Sequence, residues 1–121
     1  MKSCITKCDL SLEYFFDEGC FITELSNTTD DPELSIARAR VEPGVTTKWH
    51  YLKDVTERYV ILEGIGKVEV GGLEPQEVTA GDVVIIPPGK RQRISNIGEN
   101  SLIFLAICSP RFKESVYVSM K

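Results

Sequence analysis

The strongest constraint in this sequence is the regular alternation of short β-type segments with turn residues. Runs rich in Val, Ile, Phe and Tyr, such as CFITEL, LSIARARV, VVIIP and LIFLAIC, are separated by polar clusters such as SNTTDDPE, EPG and PPGK. Runs of this composition are typical of strands, and clusters of Gly, Pro, Asn and Asp are typical of turns. Short strands at such close spacing predict an all-β fold, either a sandwich or a barrel.

Three segments are harder to assign. LSLEYFFDEG, at positions 10–19, could form a short amphipathic turn or an edge strand. RYVILEGIGKVEV contains two runs interrupted by Gly64 and Gly66, which we interpret as a hairpin-like turn. Pro110 should end the last strong strand. We expect the tail after it to dock on the outside of the barrel through Phe112 and Tyr117.

Length and charge narrow the class of protein. The 121 residues suffice for one core, and we assign positions 1–121 to a single domain. A net charge of −4 gives no electrostatic attraction to phosphate backbones, so we expect no nucleic-acid partner. We find no signal peptide and no apolar run near the roughly 20 residues that span a bilayer. We therefore expect a cytoplasmic protein with no membrane partner, whose four cysteines are reduced thiols.

Several strands carry apolar residues in both alternation phases, among them LEYFF, RYVIL and LIFLAIC. Such strands are buried on both faces. In a small barrel one face fills the interior, and the other must be covered by another part of the chain or by a second subunit. We therefore predict a homodimer. In the alternative, a monomer, the tail and the N-terminal segment provide the cover.

The first of two spaced motifs covers positions 44–64. Gly44 is followed, after five intervening residues, by His50, then by Leu52 and Glu57, and the motif ends at Gly64. His50 is the only histidine of the chain. An imidazole and a carboxylate on consecutive predicted strands raise the question of whether they bind a metal ion together.

The second motif covers positions 81–96 and contains Gly81, Pro87, Gly89, Gln92 and Asn96. In their spacing, the two motifs together resemble those of the cupin family. The resemblance implies the cupin fold, a double-stranded β-helix that forms a jelly-roll barrel. It covers positions 44–96 directly, and the flanking strands suit the same fold across most of the chain.

The resemblance also implies a candidate metal site. Cupins bind metal with two histidines and a glutamate from the first motif and a histidine from the second. The matching positions here are His50, Leu52, Glu57 and Gln92, so two of the four ligands are replaced. His50, Glu57 and Gln92 remain as candidate ligands. One imidazole, one carboxylate and one amide would bind Fe, Mn, Ni or Zn as divalent ions only weakly.

Strand alternation predicts which side chains share the interior, because residues two apart on a strand point to the same side. Three predicted strands should each contribute two inward side chains to a ligand-binding pocket. These six are His50, Leu52, Glu57, Tyr59, Gln92 and Ile94. Without a cofactor, the polar members would hydrogen-bond one another or a ligand. Tyr59 and Glu57 are the candidates for catalytic proton transfer.

Arg38 and Arg40 allow two interpretations. Their alternation with Ala37, Ala39 and Val41 favours a solvated stripe outside the barrel. In the alternative, both side chains enter the cavity and bind a carboxylate or a phosphate.

Three functions remain open for the chain. We predict a small cupin-domain protein that binds a small polar or anionic molecule, sugar-like in type, inside the barrel. The first alternative is a metal-dependent isomerase, lyase or dioxygenase that uses the reduced His/Glu/Gln ligand set. The second alternative is a non-catalytic sensory or scaffold protein. Fold alone does not decide among them.

Overall fold

The computed structural model describes residues 1–120, which form eleven strands and two single-turn 3-10 helices. The helices are Leu10–Leu12 and Glu114–Val116. The strands are β1 (Tyr14–Phe16), β2 (Cys20–Ser26), β3 (Ser35–Val41), β4 (His50–Leu52), β5 (Thr56–Glu63), β6 (Gly66–Val70), β7 (Gln76–Val78), β8 (Val83–Ile86), β9 (Gln92–Asn96), β10 (Leu102–Ser109) and β11 (Tyr117–Ser119). Neither helix in this part of the chain is long and apolar enough to cross a bilayer.

The strands build two antiparallel sheets. The six-stranded sheet has the order β1-β2-β3-β10-β5-β8, and the five-stranded sheet has the order β11-β4-β9-β6-β7. Neighbouring strands come from distant parts of the sequence; β10, for example, lies between β3 and β5. This double-sheet arrangement is the jelly roll that the sequence predicts, and the all-β assignment is confirmed.

Side chains at alternate strand positions fill the space between the sheets. In β5, Glu57, Tyr59 and Ile61 are buried, while Arg58 and Val60 between them are more exposed. The β9 strand repeats the pattern, with its first, third and fifth residues buried. The two-residue period of the strand therefore decides which polar groups enter the interior.

The segment around Gly64 is a corner between the sheets, so the predicted hairpin-like turn is wrong. The strands on either side of it, β5 and β6, belong to different sheets. Gly64 has a φ of +90°, and a Cβ added there would lie 2.8 Å from the carbonyl oxygen of Ser101. A side chain is excluded by both the backbone conformation and the lack of space, so glycine allows the chain to turn here.

The two ends of the chain meet at one edge of the barrel. Positions 10–19 contain both structures considered for them, the 3-10 turn and the edge strand β1. The tail differs from our prediction. Phe112 and Tyr117 both pack edge-on against Phe16, with ring centroids 6.4 and 5.0 Å away, and Tyr117 also stacks on His50. The tail therefore closes the interior at this edge instead of docking on the outside.

Candidate functional site

Polar side chains are buried together at one end of the space between the sheets. His50 in β4 is 2 % exposed, Glu57 in β5 is 8 % exposed and Gln92 in β9 is fully buried. His50 and Gln92 are direct cross-strand partners in the five-stranded sheet, whereas Glu57 belongs to the six-stranded sheet. Burying so many polar groups is unfavourable unless each finds a partner.

The His50 ring is held in one tautomer. Its Nδ1–H donates to the carbonyl oxygen of Lys48 at 2.8 Å, so Nε2 carries the free lone pair. Nε2 lies 3.8 Å from Oε2 of Glu18, and the ring stacks on Tyr117 with centroids 5.0 Å apart. Burial is the main cause of a lowered pKa for His50. The imidazole is therefore neutral near pH 7 and presents a hydrogen-bond acceptor to Glu18.

Glu57 is a buried carboxyl group with one unsatisfied oxygen. The thiol of Cys108 approaches Oε2 at 3.8 Å, while Oε1 has no hydrogen-bond partner. Burial, reinforced by the nearby Glu18 carboxylate, raises the pKa of Glu57 to about 7. Burial likewise raises the pKa of Glu18 to about 7, although its side chain is 13 % exposed. Both carboxyl groups therefore exchange protons near neutral pH.

Gln92 and Tyr59 form a buried pair behind Glu57. The Tyr59 hydroxyl donates to Oε1 of Gln92, and Nε2 of Gln92 has no partner. The Gln92 amide group favours the ionised form of Glu57. Burial raises the pKa of Tyr59 well above its usual value. The Tyr59 hydroxyl therefore stays protonated and orients the amide.

The other two predicted pocket residues pack apolar surface. Leu52 contacts a small cluster that includes Val55 and Cys108, joined by Phe112, Val116 and Tyr117 from the tail. Ile94 is fully buried in the main hydrophobic core.

The three candidate metal ligands do not offer matching donor atoms. Gln92 uses its carbonyl oxygen to accept from Tyr59 and leaves an NH₂ group, which cannot bind a metal ion. Among residues 1–120, no three His, Cys, Asp or Glu side chains are grouped to hold a metal ion. A metal site made of His50, Glu57 and Gln92 would need the Gln92 amide to turn over and release Tyr59.

A cavity of about 50 Å³ opens between the sheets next to these groups. Its polar wall is formed by Glu18, Glu24 and Glu57, and Tyr14, Phe16 and Phe112 contribute aromatic rings. Of the six residues predicted to line a pocket, Glu57 alone among residues 1–120 lines this one. His50 lies next to the lining residue Glu18, and the Tyr59–Gln92 pair lies next to the lining residue Glu57.

The acidic residues of the wall other than Glu57 were missed from the sequence. Cys20, Ile22 and Glu24 occupy alternate positions of β2 and therefore share its inward face. The alternation of strand residues could thus have indicated that Glu24 lies at the cavity. Glu18 precedes Gly19, whose φ of +107° makes the tight turn from β1 to β2. No motif spacing marks Glu18, because its position depends on how that turn folds against β4.

Arg38 and Arg40 lie on the face of β3 that points away from the cavity. Arg40 forms two hydrogen bonds with the Glu13 carboxylate, at 2.8 and 3.0 Å, and its guanidinium stacks on Phe21. Arg38 reaches the same carboxylate at 3.4 Å. The guanidinium groups hold the pKa of Glu13 below its usual value. The two arginines therefore fix the N-terminal segment to the outside of the barrel.

The sequence pattern of the cupin domain matches residues 37–108, more than half of the chain. The chain belongs to the cupin family. The uncharacterized protein MJ1618 from Methanocaldococcus jannaschii is 34 % identical to this cupin over 114 residues, which are 93 % of this chain and 90 % of the relative. The boundaries of the family match enclose β4, β5 and β9, which carry the buried polar groups.

Solved structures share the fold of this cupin at low sequence identity. KdgF from Halomonas sp. has a TM-score of 0.80 and 17 % identity, with 94 % of this chain and 99 % of KdgF covered. Pac13, a nucleoside dehydratase, has a TM-score of 0.76 and 20 % identity, with 95 % and 90 % covered. A Streptomyces Pac13 variant has been crystallised with uridine. At these identities the likeness establishes the jelly-roll fold and leaves the ligand open.

Proposed function

We propose that this cupin is a small-molecule-binding protein whose ligand inserts one end into the cavity beside Glu57. The observation that carries the proposal is that Glu57 lines the cavity while its buried oxygen Oε1 has no hydrogen-bond partner. A buried polar atom left unpaired costs roughly 1–3 kcal/mol, and more when it is charged. A ligand that donates a hydrogen bond to Oε1 would remove this penalty.

The chemistry of the fold neighbours supports an interior site. Pac13 is a nucleoside dehydratase, and its complex with uridine is a precedent for a small polar ligand bound by a protein of this fold. In the present chain, His50 would orient the carboxyl group of Glu18, and Gln92 would orient that of Glu57. The ligand is polar because three carboxyl groups line the cavity.

Thermal stabilisation by a small panel of probes tests this proposal. The panel contains uridine, glucose, glucuronate and choline, each at about 10 mM. For a probe with a Kd of about 1 mM, binding at this concentration would raise the free energy of unfolding by about 1.4 kcal/mol. We expect at least one probe to raise the Tm of the wild-type protein and to lose its effect in Glu57→Leu. The Glu77→Leu variant, changed at an exposed glutamate in β7, is the control. No shift with any probe, or equal shifts in Glu57→Leu, would overturn the proposal.

A catalytic role is a second candidate, because Glu57 has a pKa of about 7 and lines the cavity. A group with such a pKa can both take and give a proton at neutral pH. Tyr59, the other predicted catalytic residue, is engaged with Gln92. Incubation with uridine followed by mass spectrometry tests for dehydration. Loss of water that disappears in Glu57→Gln would support a lyase, and unchanged uridine would leave this candidate without support.

The metal-dependent alternative has its own test. Metal analysis of protein purified without chelators would give a stoichiometric transition metal if His50, Glu57 and Gln92 bind one. That metal should be lost in His50→Ala, because Nε2 of His50 is the strongest donor of the three. A stoichiometric metal retained in His50→Ala would place the binding site elsewhere.

We also propose that the chain forms a homodimer through the outer face of the six-stranded sheet. Leu62, Val83 and Ile85 are 43 %, 57 % and 62 % exposed, and they lie on β5 and the adjoining edge strand β8. An apolar edge strand with free backbone groups is suited to pairing with a second copy. Light scattering should show a dimer for the wild type and a monomer for Ile85→Lys. The control Ile97→Lys, at an exposed turn, should remain a dimer. A wild-type monomer would contradict this assignment.

A further inference from the structure

The cavity wall carries charge of one sign. Glu18, Glu24 and Glu57 line it, and among residues 1–120 no lysine or arginine does. Two arginines of the same sheet, Arg38 and Arg40, are paired with Glu13 on its opposite face. A carboxylate or phosphate ligand would meet three acids without a compensating cation, which is strongly unfavourable in a poorly solvated site. The predicted anionic class of ligand is therefore disfavoured.

Aromatic rings form the rest of the entrance. Tyr14, Phe16 and Phe112 line the cavity, and the Phe16 and Phe112 rings meet edge to face at 83° with centroids 6.4 Å apart. In such an edge-to-face pair, the edge of one ring lies against the face of the other. The face of an aromatic ring attracts a cation, and the attraction increases when water is excluded.

The volume limits the size of the group that enters. The cavity of about 50 Å³ has room for only a few water-sized groups. A methylated ammonium group has about this size. The group must be the end of the ligand, since the cavity opens to the surface past Tyr14 and Glu24, which are both exposed.

A second observation points to a ligand independently of the acidic cluster. Glu57 lines the cavity and is only 8 % exposed, and its Oε1 atom has no hydrogen-bond partner in the described residues. The Glu18 carboxyl group, by contrast, faces the neutral lone pair of His50 at 3.8 Å. The neighbours of Glu57 supply a weak thiol contact from Cys108 and the nearby amide of Gln92, and they leave Oε1 without a hydrogen bond.

We propose that the cavity binds a small organic cation, an alkylammonium group. Glu57, Glu18 and Glu24 supply the opposite charge, and the side chains of Phe16 and Phe112 contact its methyl or methylene groups. This assignment rests on the proposed ligand-binding function and adds the charge class of the ligand. It distinguishes this chain from a protein that binds carboxylate or phosphate ligands.

Three probes of equal shape and different charge test the proposal by calorimetry. They are choline, the uncharged 3,3-dimethylbutan-1-ol and the anion 3,3-dimethylbutanoate. We expect choline to bind the wild-type chain at least tenfold more tightly than the alcohol, and the anion to bind more weakly than both. Equal or tighter binding of the alcohol or the anion overturns the cation assignment while the binding function stands. If no probe binds here and none in the wider panel stabilises the protein, both proposals fail.

Variants at the entrance separate charge from packing. Glu24→Gln removes a charge at an exposed position, and Phe112→Leu keeps the bulk of the side chain while removing the ring. Each should weaken choline binding roughly three- to tenfold and leave binding of the alcohol within twofold. Glu77→Gln, in β7 on the other sheet, is the matched control and should change neither. Parallel losses for choline and the alcohol in both variants would mean that charge does not select the ligand.

Discussion

The two ends of the barrel interior are built by the same strands and filled with opposite chemistry. At one end, Ile61, Ile94 and Leu102 are at most 1 % exposed and pack in a continuous apolar core. At the other end, the inward positions hold His50 and Glu57, whose burial is unfavourable for folding. The apolar end explains why the chain folds. The polar end lowers stability, so its residues indicate a function other than folding.

The largest expected effect is at the apolar end. Leu102→Ala removes a fully buried side chain and should lower the free energy of unfolding by about 3 kcal/mol. Urea denaturation measures the change, and Leu73→Ala, at a residue that is 67 % exposed, should alter stability by less than about 0.5 kcal/mol. A loss for Leu102→Ala as small as that for Leu73→Ala would mean that this end is not the stabilising core.

The polar end should respond in the opposite direction. The folded-state pKa of Glu57 is about 7, above the usual value of 4.5, so folding favours the protonated form. The contribution of this group to stability is therefore fully present below about pH 4.5 and is lost as the pH rises through 7. Glu57→Gln copies the protonated form and should be more stable than the wild type by on the order of 2–3 kcal/mol at pH 8.

Denaturation at pH 5 and at pH 8 measures the Glu57 effect, and the difference between the variant and the wild type should be small at pH 5. Glu77→Gln, in which an exposed carboxyl group is changed, is the control and should show no dependence on pH beyond that of the wild type. A Glu57→Gln variant that is less stable than the wild type at pH 8 would contradict the assignment of the polar end as destabilising.

The smallest effect concerns the pair that joins the two ends. Tyr59→Phe leaves Oε1 of Gln92 without its donor and should lower the free energy of unfolding by about 1–2 kcal/mol. Combining Tyr59→Phe with Gln92→Leu in one chain should recover part of the loss, because no polar group of the pair is then left without a partner. Urea denaturation of the two single variants and the double variant measures the coupling. Additive losses in the double variant would show that the two side chains do not interact.

The alternation of residues was enough to predict much of the architecture. Glycine and proline spacing in the two motifs led to the jelly roll, and the period of two led to the inward direction of His50, Glu57 and Gln92. These features are local, since each strand fixes its own inward and outward faces. The Gly64 corner was misassigned because a turn within a sheet and a crossing between sheets have similar sequences.

The composition of the cavity wall was not predictable in the same way. Glu18 and Phe112 come from a turn and from the tail, and their place at the cavity depends on contacts with strands far away in the sequence. The orientation of the Gln92 amide depends on its hydrogen bond with Tyr59, which lies 33 positions earlier in the sequence. A motif records which residue types stand at fixed spacing, whereas the direction of an amide follows from its three-dimensional neighbours.

The last strand, β11, contacts one of the buried polar side chains at the edge of the barrel. Tyr117 pairs through its backbone with Leu52 in β4, and its ring covers the imidazole of His50. Loss of the pairing between β11 and β4 would therefore also uncover the imidazole of His50, which lies next to Glu18. One of the shortest strands of the five-stranded sheet thus shields the group that faces Glu18.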